Sequence, residues 1–493
     1  MSNKWKIENE KVLKNTVQRC RERNVIIPTY EEMINPDKIP SKIKDELKKI
    51  GLWDLNPRNL FRITWKNEPV AQGGEFGKIN YVELPSELTG VKARIFVLLG
   101  KFFPTGSHKV GATFGPLVEK LTRGVFDPTT QKALWPSTGN YCRGGAYDSY
   151  LLACPSIAVL PEGMSTERFD WLKKVGAEIF STPGCESNVK EVYDKTAELK
   201  RERGDEIVVL NQFSEFGNPI WHYAVTGRAI EEVFESEKKE KQRLSAIFLT
   251  QGSAGTLGSG DYLKEKFSLL KIGAGEALQC PTLLQNGYGG HRIEGIGDKH
   301  VPWVHNMKNM DMVAAIDDEA CIRLMRLFNE KAGRDLLEKN GVGKSVDAKL
   351  DLFGISSIAN ILGAIKMAKY YEMNENDVVF TIATDSMELY QSRLKEEREK
   401  CDEYSEYDAA ADFARYLKGV STDNMLELSY WDKKRMHNLK YFTWIEQQGK
   451  KLEELNAQWY DENYWKDKFH SYTDWDELIH EFNDRTGLLK KYK

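Results

Sequence analysis

From about residue 71 to 395 the chain alternates between short apolar, β-rich runs and longer amphipathic segments, with glycine-bearing turns between them. The runs include Ile95–Leu99, Ile157–Leu160, Ala246–Leu249 and Val378–Ile382. The amphipathic segments cover about 109–122, 167–174, 187–202, 222–236 and 257–268. Strands and helices alternating at these lengths leave few architectures open. They argue for an α/β fold with a largely parallel sheet. The flanks differ. Residues 1–70 are charged, carry turn signals at Asn35-Pro36 and Asn56-Pro57, and read as a helical extension. Residues 396–493 are rich in charge and tryptophan (Trp431, Trp444, Trp459, Trp465, Trp475) and show no clear strand run. They read as a second helical extension, packed on the core or on a second subunit. No internal repeat is visible.

Composition narrows the partners. Of the 493 residues, 41% are hydrophobic and 29% charged, enough apolar content for a packed core. A formal charge of -4 gives no reason to expect nucleic acid or a membrane surface. The apolar runs are too short to span a bilayer. The N-terminus is charged and lacks an apolar signal segment. The 7 cysteines are odd in number and show no CxxC pair, and the 8 histidines show no ligand spacing. The expectations are a reducing, cytoplasmic compartment and no metal.

Four stretches carry chemistry. In 101–113, KFFPTGSHKVGAT, a strand ends in a Pro104-Thr105-Gly106 turn and Lys109 stands where a helix begins. The helix dipole disfavours a cation there, but a lysine whose pKa is lowered makes a Schiff-base nucleophile. In 137–141, STGNY, small hydroxyls and a glycine before a helix expose N–H groups to a carboxylate. In 251–260, QGSAGTLGSG, glycines after a strand let the backbone approach a phosphate. A dinucleotide fingerprint fails there at Leu263, and a Walker A loop fails at Asp261. In 383–390, ATDSMELY, a hydroxyl follows a strand end, where α/β proteins bind heterocycles. Singly, each stretch also reads as an ordinary cap or turn. Together they offer an amine, a carboxylate site, a phosphate cradle and a partner for a ring nitrogen.

At these residues the sequence resembles the fold type II pyridoxal 5'-phosphate (PLP) enzymes: cysteine synthase, cystathionine β-synthase, threonine synthase and the tryptophan synthase β-subunit. PTGSHKVGA looks like the Schiff-base lysine motif, with its Ser-His-Lys order closest to tryptophan synthase β-like proteins. STGN looks like the cysteine synthase substrate loop, and GSAGTLGSGDYLKE like the phosphate loop. NQFSEFGNPIWHYAVTGRAI (211–230) and HRIEGIGDKHVPW (291–303) resemble further family segments. The likeness covers about residues 80–395.

The resemblance implies two three-layer αβα subdomains with PLP between them, plus helical terminal extensions. The expected divisions are 1–70, a catalytic core at 71–395 and 396–493, with a mobile smaller subdomain at about 125–215. Lys109 would hold the cofactor and move the α-proton. Asn140 would meet its 3'-oxygen. Gly252, Ser253, Ala254, Gly255 and Thr256 would hold the phosphate. His108 would help seat the phosphate or pack behind the lysine. Ser386 would face the pyridine nitrogen, unless a one-residue offset puts Asp385 there. Ser137, Thr138, Gly139, Gln212 and Gly295 would bind the substrate.

The implied activity is β-elimination or β-replacement on a serine- or cysteine-like amino acid through an aminoacrylate, in a homodimer. A threonine synthase- or dehydratase-like enzyme is the alternative within the family. A non-catalytic regulatory subunit is the alternative outside catalysis. Ser253-Ala254 stands where cysteine synthases commonly carry Thr-Gly, and Tyr141 replaces a small hydroxyl residue, so a divergent branch is expected. Cys142 reads as a small apolar filler.

Overall fold

The computed structural model describes residues 5–137, 139–184, 188–401 and 403–492. Its strands, in chain order, are β1 (Tyr81–Leu84), β2 (Arg94–Leu99), β3 (Lys132–Pro136), β4 (Ser156–Pro161), β5 (Glu178–Thr182), β6 (Ile207–Val209), β7 (Arg243–Thr250), β8 (Lys271–Ala277), β9 (Met312–Ile316), β10 (Asp377–Ala383) and β11 (Met425–Glu427). They form two sheets. One has seven strands in the order β1-β2-β10-β7-β8-β9-β11, parallel except for its two edge strands. The other has four parallel strands in the order β5-β4-β3-β6.

The chain leaves the larger sheet after β2, builds the smaller sheet, and returns at β7. The central strands are buried almost throughout; β10 is buried at every position. Such strands need helices on both faces. On one face of the larger sheet lies the helix Ile355–Tyr370, whose residues are buried from Ile355 through Ala368. Helices cover the smaller sheet as well, and Val192 and Leu199 of Val189–Arg203 pack with Leu134, Ile157 and Val159. This is the α/β architecture that the alternation predicts.

The helix Lys109–Thr122 joins the two sheets. Its residues are buried from Val110 to Glu119. A Cβ at Gly111 would fall 2.1 Å from Trp221 Cε2, and one at Gly115 would fall 2.4 Å from the Gly217 carbonyl oxygen. The two glycines let this helix cross the Gly217–Trp221 helix at a distance no side chain would permit.

The terminal extensions pack on each other and on the core. Asn483 bonds the Ile27 backbone in both directions (3.1 and 2.7 Å), Asp476 caps Tyr30 N–H, and Trp5 meets Trp475 edge-on at 5.3 Å. Trp444, Trp459, Trp465 and Trp475 are buried, whereas Trp431 is 76% exposed. The sequence reading of 396–493 needs one correction. Met425–Glu427 forms β11 and extends the larger sheet beside β9. Three residues are too few for a period-2 pattern to show. No helix among the described residues is long and apolar enough to cross a membrane.

Gly115→Ala is expected to destabilise the protein by about 1–3 kcal/mol through overpacking. A shifted denaturation midpoint with an unchanged slope in urea would show it.

Candidate active site

The sequence-flagged stretches all leave the carboxyl ends of strands and converge between the sheets. β2 runs into the turn Pro104–Gly106. There Thr105 takes φ 65 and Gly106 φ 69. A β-branched residue in the left-handed region is strained, and Thr105 is completely buried. Gly106 is required by space as well, since a Cβ there would lie 2.7 Å from Trp53 Cζ2 of the N-terminal extension. This turn delivers Lys109 to the first position of its helix. Lys109 Nζ lies 3.3 Å from Ser253 Oγ.

Ser253 belongs to the loop after β7. The backbone N–H groups of Gly252, Ser253, Ala254, Gly255 and Thr256 bond to no described residue, although each neighbouring turn is internally bonded. Buried amides are normally paired, and Ser253, Ala254 and Gly255 are buried, so this row has donors to offer an anion. The helix Leu257–Lys266 follows it and adds its positive end. Ala254 sits at φ 60, as the loop's curvature demands. The loop is held from below by Asn218, whose amide donates to Ser253 Oγ (3.0 Å) and to the Gln212 carbonyl (3.0 Å). A Cβ at Gly255 would fall 2.0 Å from Asn218 Oδ1. Gly295 abuts the same loop: its carbonyl is 2.8 Å from a Cβ built on Gly252, and Gly297 N–H bonds the Gln251 carbonyl at 3.0 Å.

The substrate-loop residues are also brought together. Gln212 Nε2 reaches Ser137 Oγ at 3.3 Å, and Gly139 N–H donates to the same hydroxyl at 3.1 Å. Thr138 lies outside the described residues. Cys142 is buried, and its thiol donates to the Gly139 carbonyl at 2.9 Å. Asn140 donates to Asp385 Oδ2 at 2.5 Å, and the Tyr390 hydroxyl donates to the same oxygen at 2.7 Å. The Asp385 carboxylate is thus turned toward Asn140 and Tyr390, while Ser386, equally buried, follows it in the chain. Burial raises the Asp385 carboxyl, and Tyr390, Arg168 and Asn140 pull it back.

His108 is completely buried. Its Nε2 faces Thr384 Oγ1 at 3.3 Å, and its ring meets His222 edge-on at 4.9 Å and tilts toward Trp65 at 5.7 Å. Burial and the neighbouring Lys109 charge push it down to about 3, so it is neutral. Of the two expected roles, packing behind the lysine is the one this stacking favours.

Several site residues were given no role by the sequence, although Asp298 lies within the 291–303 segment. Asp298 is buried, and burial pushes its carboxyl up to about 7 while Lys109 draws it down. Arg168, with a side chain 0% exposed, pairs with Glu294 at 2.5 Å and bonds Tyr390 OH at 3.3 Å. It lies beneath Gly139, where a Cβ would meet its guanidinium at 2.5 Å. Arg143 is buried and donates to Asn140 Oδ1 at 3.3 Å. A lone arginine on an amphipathic helix looks like a surface residue. Asn218 was visible within 211–230, but its place under the phosphate loop was not. Among the described residues no group of acidic, histidine or cysteine side chains could hold a metal.

Such a site sets a row of free amide donors, suited to a small anion, next to an amine. Residues 74–338 match the family of pyridoxal-phosphate dependent enzymes. The chain belongs to that family, and its cofactor is PLP. It is 29% identical to Saccharomyces cerevisiae cystathionine beta-synthase over 320 residues, 63% of this chain and 59% of that enzyme. It is 28% identical to Staphylococcus aureus cysteine synthase over 312 residues, 63% of this chain and 92% of that enzyme. The crystal structure of a hydrogen sulfide-producing enzyme from Fusobacterium nucleatum superposes with a TM-score of 0.54 at 26% identity, over 71% of this chain and 95% of that one. The residues present fit the cofactor: unengaged amides for a phosphate, and a lysine at the same loop.

Arg168→Met would leave Glu294 buried with Arg393 as its one remaining counter-ion among the described residues. The expected loss is about 3 kcal/mol of stability, measured by denaturant unfolding.

Proposed function

We propose that this enzyme carries out β-elimination or β-replacement on a serine- or cysteine-like amino acid. The observation that carries the reading is the Lys109 amine lying against Ser253 at the head of a row of unengaged amides, with Asn218 linking that loop to Gln212 and so to Ser137. The cysteine synthase and cystathionine beta-synthase relatives support chemistry at the β-carbon.

Bound PLP would supply the electron withdrawal that acidifies the substrate Cα–H. The amides of Gly252, Ser253, Ala254, Gly255 and Thr256 would grip its phosphate, and Asn140 its 3'-oxygen, once the amide is shared with or released from Asp385. Ser386 would face the pyridine nitrogen, because the Asp385 carboxylate is already engaged by Asn140 and Tyr390. Ser137, Thr138, Gly139, Gln212 and Gly295 would hold the substrate, its carboxylate on the Ser137–Gly139 loop and Gln212. Lys109 would anchor the cofactor and then take the Cα proton. Asp298, a buried carboxyl that feels the Lys109 charge, would give a proton to the group that leaves Cβ and take one from the group that adds there.

The smaller sheet and its helices, about 125–215, would close over the substrate and exclude water. The divisions proposed are an N-terminal extension to residue 70, a core at 71–395 and the C-terminal remainder. A homodimer is proposed by analogy with the family, and a reducing, cytoplasmic setting is proposed because none of the six described cysteines is in a disulfide.

Lys109→Ala is expected to lower turnover of L-cysteine or L-serine at least about 100-fold and to remove the protein-bound visible band of the cofactor. A band that ignores both amino acids but responds to L-threonine would favour the dehydratase reading instead. Asp298 must hold its proton to give it to the group leaving Cβ, so kcat/KM for the amino acid is expected to fall as the pH passes upward through about 7. In Asp298→Asn that limb should be absent from the pH profile.

A further inference from the structure

Lys440, in the C-terminal extension, is completely buried. Its Nζ lies 3.0 Å from the Trp303 carbonyl oxygen, 2.7 Å from the His305 carbonyl oxygen and 2.7 Å from Gln458 Oε1. The Trp465 ring covers it, 5.4 Å away. No carboxylate among the described residues pairs with it, and burial draws the amine well below its ordinary range, so the charged form must be held by these three acceptors. The flanking histidines add no anion: burial holds His305 neutral and pushes His437 down to about 3.

A buried charge without a counter-ion is expensive. A neutral amine would not suit this place either. It has two N–H donors and a lone pair, and the lone pair would point at a third carbonyl-type oxygen. An ammonium group has three donors and satisfies all three acceptors. Uncharged carbonyl oxygens turned inward on one point are how proteins strip and hold a potassium-like ion.

The cage also has a reason to be kept. Its two backbone carbonyls belong to the segment just beyond Gly295 and Asp298. That segment is tied elsewhere: Trp444 Nε1 donates to the Val301 carbonyl (2.8 Å), and Val304 N–H donates to the Phe213 carbonyl (3.2 Å). Phe213 follows Gln212, and His300 packs edge-on against its ring at 4.6 Å.

We propose that Lys440 is a tethered monovalent cation: it fills a carbonyl cage that would otherwise take potassium or ammonium from solution, and so fixes the 301–305 segment behind the active site. The enzyme is therefore indifferent to which monovalent cation surrounds it.

The test compares wild-type holoenzyme with Lys440→Met, which keeps the stem and cannot donate. Both are assayed in tetramethylammonium, lithium, potassium and ammonium chloride at equal ionic strength. The variant is expected to lose on the order of 10²-fold in kcat/KM in tetramethylammonium or lithium, as for misplacement of a positioning segment. Potassium or ammonium should restore most of it. Its thermal midpoint should follow the same order of salts, and this readout needs no substrate, so it stands if the proposed reaction is wrong. A variant equally impaired in every salt, a variant unimpaired in tetramethylammonium, or a wild-type enzyme that requires potassium would each overturn the proposal. If the variant does not fold, lysine-selective ¹⁵N NMR of the wild-type protein decides. A slowly exchanging ammonium signal lost in Gln458→Leu supports the cage, and a neutral amine signal sinks it.

Discussion

The site depends on one tight crossing. Gly111 and Gly115 press the helix that begins at Lys109 against Trp221 and the Gly217 backbone. That contact fixes the helix axis, and the strained Thr105-Gly106 turn then fixes where the helix starts. Lys109 has little freedom left above its stem. The same crossing places Asn218, one residue past Gly217, under the phosphate loop, where it bonds Ser253. Amine and cradle are thus located by a single packing event, and preorganisation of this kind is what catalytic groups require.

Around that centre the charges are paired in depth. Asn140 and Tyr390 share Asp385, Arg168 reaches Tyr390 and Glu294, and Arg393 closes the chain at Glu294. Arg168 comes from the smaller sheet's helices, whereas Asp385 and Tyr390 follow the central strand β10 of the larger sheet. The network therefore couples the two halves through groups that are buried and lose stability if one member is removed. It also lies under Gly139, so the substrate loop rests on the interface between the halves.

The extensions take part in the same construction. Trp53 stands over Gly106 and meets Trp171 edge-on at 5.2 Å, joining the N-terminal segment to both halves. On the other side, Lys440 and Trp444 hold the segment that leads back toward Asp298. Both termini thus press on loops that border the site.

The sequence by itself determined the local chemistry. Period and composition marked the parallel α/β core, because buried strands and amphipathic helices must show their burial in residue type. Lys109, Ser137, Asn140, the 252–256 loop and Ser386 stood out as candidates because each belongs to a contiguous motif whose glycines and hydroxyls serve a local backbone need. Only the tertiary structure decided what faces them. Arg168, Arg143 and Lys440 are single charged residues that no flagged motif contains, and Asp298, although inside the 291–303 segment, shows nothing there of what it faces. Their partners lie as far away as Arg168 from Glu294 or Lys440 from Trp303. A buried charge acquires meaning from what surrounds it, and that surrounding is assembled only when the chain has folded.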